Sequence, residues 1–261
     1  MLPVMKDRDR LRELLEAEHV GQHLRALLDA SSNAVRLDLR PSPKHPHVGT
    51  SRLGGLPDLP HGVVWPTYKD GRPLDFVAQM KLDEVARHDA NHSLPSKGWL
   101  SFFVLGMYDD NRKKEPDYLS VCQVLFFEGD AKALEPRALP SSYERWWQGR
   151  KVSHPFKPCD IRFETMLTLH PVAVPTKDKP AIARVLVAYE SPSDPRAPSP
   201  AAEHRLLGHS DRTPADVLLF HCNGHRESEM SWGDAGSLTF WITPTALAKR
   251  SFTEARSEYV G

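Results

Sequence analysis

The 261-residue chain holds only three cysteines, Cys122, Cys159 and Cys222, scattered singly along it. That count excludes a disulfide framework and a Cys-x-x-Cys zinc site, and it fits a reducing compartment. A surplus of charge is absent too, with 34 basic residues against 34 acidic ones. Phosphate contacts need a basic surplus, so nucleic acid is not an expected partner. No run approaches the roughly 18 apolar residues of a membrane-spanning helix. The charged stretch Met1 to Arg12 lacks the apolar centre of a secretory signal. The expectation is a cytoplasmic protein with no membrane partner. Gly-x-Ser-x-Gly, Walker A and Gly-x-Gly-x-x-Gly patterns are also missing, so no nucleophile elbow, phosphate loop or cofactor is expected.

What the chain does have is proline, 23 residues of it, nearly twice the usual share of about 5%. Proline ends helices and is excluded from central strands. After Pro41 no proline-free stretch reaches 30 residues, which rules out a helical bundle, a coiled coil or a run of long crossover helices. Short strands, short helices and ordered loops remain, and recurrent aliphatic and aromatic residues argue against disorder.

Residues 4–30 carry a helical pattern in Leu11, Leu14, Leu15, Leu24, Leu27 and Leu28, interrupted at Gly21. Val35, Leu37 and Leu39 then alternate with Arg36, Asp38 and Arg40, predicting a half-buried strand. Residues 41–73 are dense in Pro and Gly but interleaved with Leu53, Leu56, Leu59, Val63, Val64 and Trp65. That mixture predicts an ordered loop packed on the core. Strands are predicted at 75–82, 98–106, 118–128, 161–169, 217–222 and 237–243. Helices are predicted at 181–189 and at 244–250, the latter with Thr243 as N-cap and Pro244 at the first helical position. Residues 191–203, with four prolines, read as a linker.

The chain also resembles itself. Arg52, Leu53, Gly55 and Asp58 recur at the same offsets as Arg205, Leu206, Gly208 and Asp211, and each set precedes an apolar strand. Gly98-Trp99-Leu100-Ser101-Phe102-Phe103 likewise matches Gly236-Ser237-Leu238-Thr239-Phe240-Trp241. The fold class expected is α+β: a strand-rich core built from an internal duplication, with an N-terminal helical segment. The expected layout is a helical extension at 1–33, a first β-rich repeat with insertions at 34–190 and a second at 204–261. Both repeats pack as one domain, related by a pseudo-two-fold axis.

These stretches also resemble the YwqG-like family of bacteria, named for an uncharacterised protein. The resemblance rests on Ser51-Arg52-Leu53-Gly54-Gly55 with Pro57 and Pro60, Trp65-Pro66, the segment Pro73 to Gln79, the segment Gly98 to Phe103, His204 to Gly208, and Trp232-Gly233-Asp234-Ala235-Gly236. It covers about residues 35–255 and departs at His221-Cys222, where the family usually has a Leu-Leu-Gln-type strand. It implies a strand-rich α+β fold and supplies no reaction. Gene neighbourhoods in the family are similar to those of toxin–immunity systems, an association only.

The candidate ligand- or partner-binding residues are Arg52, Asp58, Trp65, Gln79, Arg205, Asp211, Trp232 and Asp234. Two readings compete for the Arg-x-x-Gly-x-x-Asp segments. In one, the glycines take positive φ and each Asp caps a turn or pairs with its Arg. In the other, Arg52 and Arg205 are anion-binding forks in a cleft. Trp232 and Asp234 either enter a hairpin or sit at a pocket mouth. His221, Cys222 and His225, with His204 and His209 near in sequence, could hold zinc, but the turn at Asn223-Gly224 spoils the spacing and no metal is expected. A thiol nucleophile would need Cys222 with His221 or His225; Cys122 and Cys159 read as structural. The first expectation is a non-enzymatic binding module for a protein partner, a toxin-neutralising role included. The alternative is a small-molecule binder or enzyme with a cleft between the repeats.

Overall fold

The computed structural model describes residues 3–42, 47–106, 121–147, 150–170, 172–190, 204–209, 215–232 and 236–260. Helices α1 (Pro3–Ala17) and α2 (Leu24–Ala30) precede the long strand β1 (Ser32–Pro41). Then come β2 (Arg52–Leu53), β3 (Asp58–Pro60), β4 (Asp75–Lys81), the single turn α3 (Leu82–Val85), β5 (Trp99–Val104) and β6 (Cys122–Phe127). The middle of the chain adds β7 (Leu134–Pro136), β8 (Arg145–Trp147), β9 (Arg150–Val152), β10 (Cys159–Thr168) and α4 (Lys179–Glu190). β11 (His204–Leu207), β12 (Val217–Asn223), β13 (Ser237–Ile242), α5 (Pro244–Ala248) and β14 (Arg256–Val260) complete it. No helix among the described residues is long and apolar enough to cross a membrane.

Ten strands form one antiparallel sheet in the order β14-β13-β12-β11-β1-β10-β2-β4-β5-β6. At its centre β1 and β10 pair from Ser32↔Thr168 to Pro41↔Cys159. The alternation expected for β1 holds: Val35 and Leu37 are buried, while the other face carries Arg36, Asp38 and Arg40. Opposite them stand Glu164, Arg162 and Asp160, so three successive cross-strand pairs are of opposite charge. Each such pair contributes roughly 0.2–1 kcal/mol.

So many twisted strands cannot stay flat. Register shifts at Phe76/Ala78 in β4 and Leu218/Phe220 in β12 add bend. The sheet curls into a near-barrel whose ends meet: the Tyr259 hydroxyl donates to Leu105 O at 2.8 Å and the Cys122 thiol to Ala255 O at 3.3 Å. Inside, the ring of Phe102 lies 4.9 Å from that of Phe220 and 5.1 Å from that of Phe240, joining the two arms of the sheet.

Two smaller apolar layers cover the outside. The Pro/Gly-rich segment is ordered where it is described: Leu59, Trp65 and Leu74 pack with Phe76, Phe103 and Tyr143 over β4 and β5. Leu11 and Leu15, one turn apart on α1, join Val20, Leu27, Leu169 and, on α4, Ile182, Val185 and Tyr189. Asp7 of α1 accepts from Leu167 N at 3.0 Å, so the N-terminal helices sit against the end of β10. The Thr243 cap is present, its hydroxyl accepting from Ala246 N. β14, the β8–β9 hairpin and the β3–β7 pair were not expected, and the segment 191–203 lies outside the described residues.

Candidate functional site

Arg52, Asp58 and Gln79 come together. Register places Arg52 opposite Gln79, and all three are buried, at 3%, 2% and 0% exposure. The Arg52 guanidinium pairs with the Asp58 carboxylate and donates to Leu56 O at 3.0 Å. Asp58 Oδ2 also accepts from Gly49 N at 2.7 Å, and Asp58 N donates to Gln79 Oε1 at 2.9 Å. The Gln79 amide finishes the circuit by donating to Thr50 O at 3.2 Å. Burial lowers the Arg52 pKa and the Asp58 charge opposes that shift. The turn that delivers Asp58 runs through Gly54 and Gly55 at φ +68° and +74°, and a Cβ on Gly54 would stand 2.5 Å from Lys157 O. Arg and carboxylate here answer each other rather than facing solvent.

Both candidate tryptophans are core residues. Trp65 Nε1 donates to Leu74 O at 2.8 Å. Trp232 is 2% exposed, donates to Asn223 O at 3.2 Å and packs against Phe156 and Tyr259. Arg205 sits on β11 opposite Arg36 and His221 and donates to His209 O at 3.1 Å. Arg52 and Arg205 do not converge. Three strand spacings separate them across the sheet, roughly 14 Å, and a four-residue offset of about 13 Å separates them along it. Asp211 and Asp234 lie outside the described residues.

A cleft opens elsewhere. Among the described residues β11 pairs with β1 from Ala34↔Leu207 to Leu37↔His204, while β1 continues to Pro41. The notch left beside β1 is faced by the turn closed by the His225↔Met230 bridge. It holds about 380 Å³ and is lined by Arg36, Leu37, Asp38 and Leu39 of β1, Glu164 of β10, and His204 and His225. The His204 and His225 rings stand 5.5 Å apart and nearly perpendicular, at 83°.

Burial, reinforced by His225 and His221, pushes the His204 pKa down to about 3. Burial and the Arg205 charge bring His221 down to about 4, against the hydrogen bond to Asn223. His225 is lowered by burial, with Glu227 opposing. All three imidazoles are therefore neutral near pH 7. His225 Nδ1 accepts from Ser228 N at 3.2 Å, which puts its proton on Nε2, facing Glu227 Oε2 at 3.3 Å. His221 is held between Thr239 and Asn223 at 3.0 and 3.1 Å. His204 is 8% exposed, and its Nδ1 has no hydrogen-bond partner among the described residues.

The turn carrying His225 is anchored from below. Arg145 donates to the Glu229 carboxylate at 2.9 Å and lies over the Phe156 ring, while Lys157 pairs with Glu229 at 2.8 Å and its N–H donates to Ser228 O at 2.9 Å. Glu229 itself holds φ +58°.

Thiol chemistry does not fit. Cys222 is fully buried, its thiol beside Asn223 O and Met230 rather than His221 or His225, and burial pushes its pKa up to about 12. Cys159 lies 4.0 Å from His225 Nδ1, but burial and then the Glu227 and Asp160 charges raise it to about 11. Neither is a thiolate near neutral pH. Among the described residues no three His, Cys, Asp or Glu side chains are grouped to hold a metal ion.

None of the described candidate residues lines this cleft. Arg36, Leu37, Asp38, Leu39 and Glu164 carry only a strand signal in the sequence, because the notch forms between strands distant along the chain. The density of histidines around His221 is the one signal the sequence offers for it.

The family described as "Domain of unknown function (DUF1963)" matches residues 51–259, from the residue before β2 into β14, and the chain belongs to it. Among the curated proteins none matches the chain.

Proposed function

We propose that this DUF1963 chain is a binding protein rather than a catalyst, and that its ligand is a small molecule held in the notch between β1, β11 and the 225–230 turn. The observation that carries this reading is the notch itself, about 380 Å³ with His204, His225, Leu37 and Leu39 among the side chains that wall it. Catalysis fits less well, since imidazoles with pKa values near 3 and 4 are weak bases at neutral pH and the nearby thiols are protonated. Arg52, Asp58 and Gln79 then serve as a clasp that holds the loop after β2, with Trp65 and Trp232 packing beneath the surface. The test is a thermal-shift screen of a metabolite library against wild type and Leu39→Trp, which plugs the notch. A ligand at 100 times its Kd adds about 2.7 kcal/mol. Finding no compound whose stabilisation is lost in Leu39→Trp would sink the reading.

We also read the sheet as two copies of one unit flanking the β1–β10 pair, as the repeat at 34–190 and 204–261 predicts. The strand order supports it, running β2-β4-β5-β6 outward on one side and β11-β12-β13-β14 on the other. Arg52 and Arg205 each donate to the carbonyl four residues ahead. Each is followed at two and three residues by positive φ, at Gly54 and Gly55 and at Leu207 and Gly208. Each faces the residue two beyond the irregularity in the next strand, Gln79 after Val77 and His221 after Leu219. Failure of residues 51–104 to superpose on 204–242 in an experimental structure would remove the idea.

A second reading keeps the protein partner, in a cytoplasmic, toxin-neutralising role with which the YwqG-like resemblance is linked by association. Val64 at 80% and Val48 at 44% exposure favour it, since both lie in the segment 47–72 where the resemblance is densest. Pull-down from bacterial lysate with wild type and Val64→Asp tests it: capture lost in the variant supports the surface, and equal capture by both rejects it.

A further inference from the structure

The notch meets β1 along its edge. Its lining takes in four consecutive residues of that strand, Arg36, Leu37, Asp38 and Leu39, and successive side chains of a strand point to opposite faces. A cavity that touches all four runs beside the main chain and not over one face. In an antiparallel ladder, residues that turn their N–H and C=O to one neighbour alternate with residues that turn them to the other. Ser42 N donates to Pro158 O at 3.1 Å, continuing the β1–β10 register by one residue. The even-numbered residues of β1 therefore face β10, and the odd-numbered ones face β11. The other side of the sheet gives the same parity. Gly224 N donates to Gly236 O at 3.3 Å, which turns the even residues of β12 to β13 and His221 to Arg205. His204 and Leu206 are then left for Leu37 and Val35.

Leu39 is next in that series. Its N–H and C=O point into the notch, where no strand among the described residues pairs with them. Pro41 follows with a C=O and no N–H. An open strand edge is complementary to another extended main chain. This one is short, about 7 Å from Leu39 to Pro41, and the notch of about 380 Å³ lies at the small end of ligand pockets. It suits a few residues of extended chain and not a folded partner. The inner face beside the edge offers Leu37, Leu39 and the imidazoles of His204 and His225, which suit an apolar side chain. On the outer face Arg36, Arg40 and Arg162 balance Asp38, Asp160 and Glu164, so neither sign of charge is favoured there.

Resting on the reading that the notch is the binding site, we propose that its ligand is a short peptide in extended conformation. It lies antiparallel to β1, as β11 does, and one of its residues exchanges both main-chain hydrogen bonds with Leu39. The side chain of that residue turns inward against Leu37, Leu39 and the two imidazoles.

The probes are the capped tripeptides acetyl-Thr-Leu-Thr-amide, acetyl-Thr-Val-Thr-amide and acetyl-Thr-Phe-Thr-amide, titrated calorimetrically into the full chain at pH 7.5 and millimolar concentration. At least one is expected to bind. N-methylation of its central residue should weaken binding by about tenfold or more, since a main-chain donor is lost and a carbonyl left unpaired. N-methylation of the following Thr, whose N–H points away from β1, should change it little. Leu39→Pro should also lose the peptide, because it removes an N–H that the β1–β10 ladder does not use. If Leu39→Pro does not fold, the two methylated peptides decide, since they leave the protein intact. Equal binding of the two methylated forms overturns the main-chain pairing. A peptide that binds Leu39→Pro and Leu39→Trp as well as wild type overturns its place in the notch. If no tripeptide binds but a metabolite is lost in Leu39→Trp, the ligand class falls and the site stands. If neither a tripeptide nor a metabolite shows notch-dependent binding, both fall.

Discussion

The two arms of the sheet hold their buried polar groups in opposite ways. On the first arm, Arg52, Gln79 and Ser101 stand in register across β2, β4 and β5; on the second, Arg205, His221 and Thr239 do so across β11, β12 and β13. The first set is closed over by the turn that brings in Asp58, and guanidinium, carboxylate and amide answer one another. The second set carries an imidazole where the first has an amide, and two more imidazoles, His204 and His225, stand beside it around a notch. One arm devotes its buried polar groups to holding the fold. The other keeps its imidazoles neutral by burial. Buried polarity is thus an ion pair on one arm and neutral imidazole on the other.

The sharpest way to break this contrast is Asp58→Ala. It leaves the Arg52 guanidinium buried without its carboxylate, and urea denaturation should show a loss of about 3–5 kcal/mol. Arg205→Ala should cost clearly less, about 1–2 kcal/mol, because Arg205 is only half-buried. Equal losses would end the comparison.

The next test is acid. His204 and His221 have folded pKa values pulled down to about 3 and about 4, from 6.5. Between those limits the unfolded chain binds more protons than the folded one, so the stability present above pH 6.5 is lost as pH falls. The slope is about 1.4 kcal/mol per pH unit for each histidine. His221→Gln, which keeps a hydrogen-bonding side chain that does not titrate, should flatten unfolding profiles between pH 4 and 6.5 by up to that amount. An unchanged slope would show that the imidazole is not held neutral. The smallest expected effect is chemical: native Cys222 should gain no iodoacetamide adduct by mass spectrometry at pH 8, and should gain one on unfolding.

Local pattern made much of this fold legible. The alternation Val35-Leu37-Leu39, the apolar runs at 75–82 and 217–222 and the Thr243-Pro244 cap each reflect a periodicity or terminal residue type that acts over a few positions. β14, with Arg256 and Glu258 among five residues, carries no such run, and it forms because β13 offers it an edge. The pairing of Arg52 with Asp58 was one of two readings that the turn allowed. The notch was not legible, since its walls come from strands more than 100 residues apart.

The charge ladder on β1 and β10 bears on how the chain finds its register. Sliding β10 by two residues in either direction, which preserves the inward and outward faces, sets like against like: Arg36 against Arg162 and Asp38 against Asp160, or Asp38 against Glu164 and Arg40 against Arg162. Hydrophobic alternation alone cannot reject those slips. The pair joins segments so distant that its closure is a slow, high-contact-order event, and alternating charge penalises misaligned encounters before the arms condense around them.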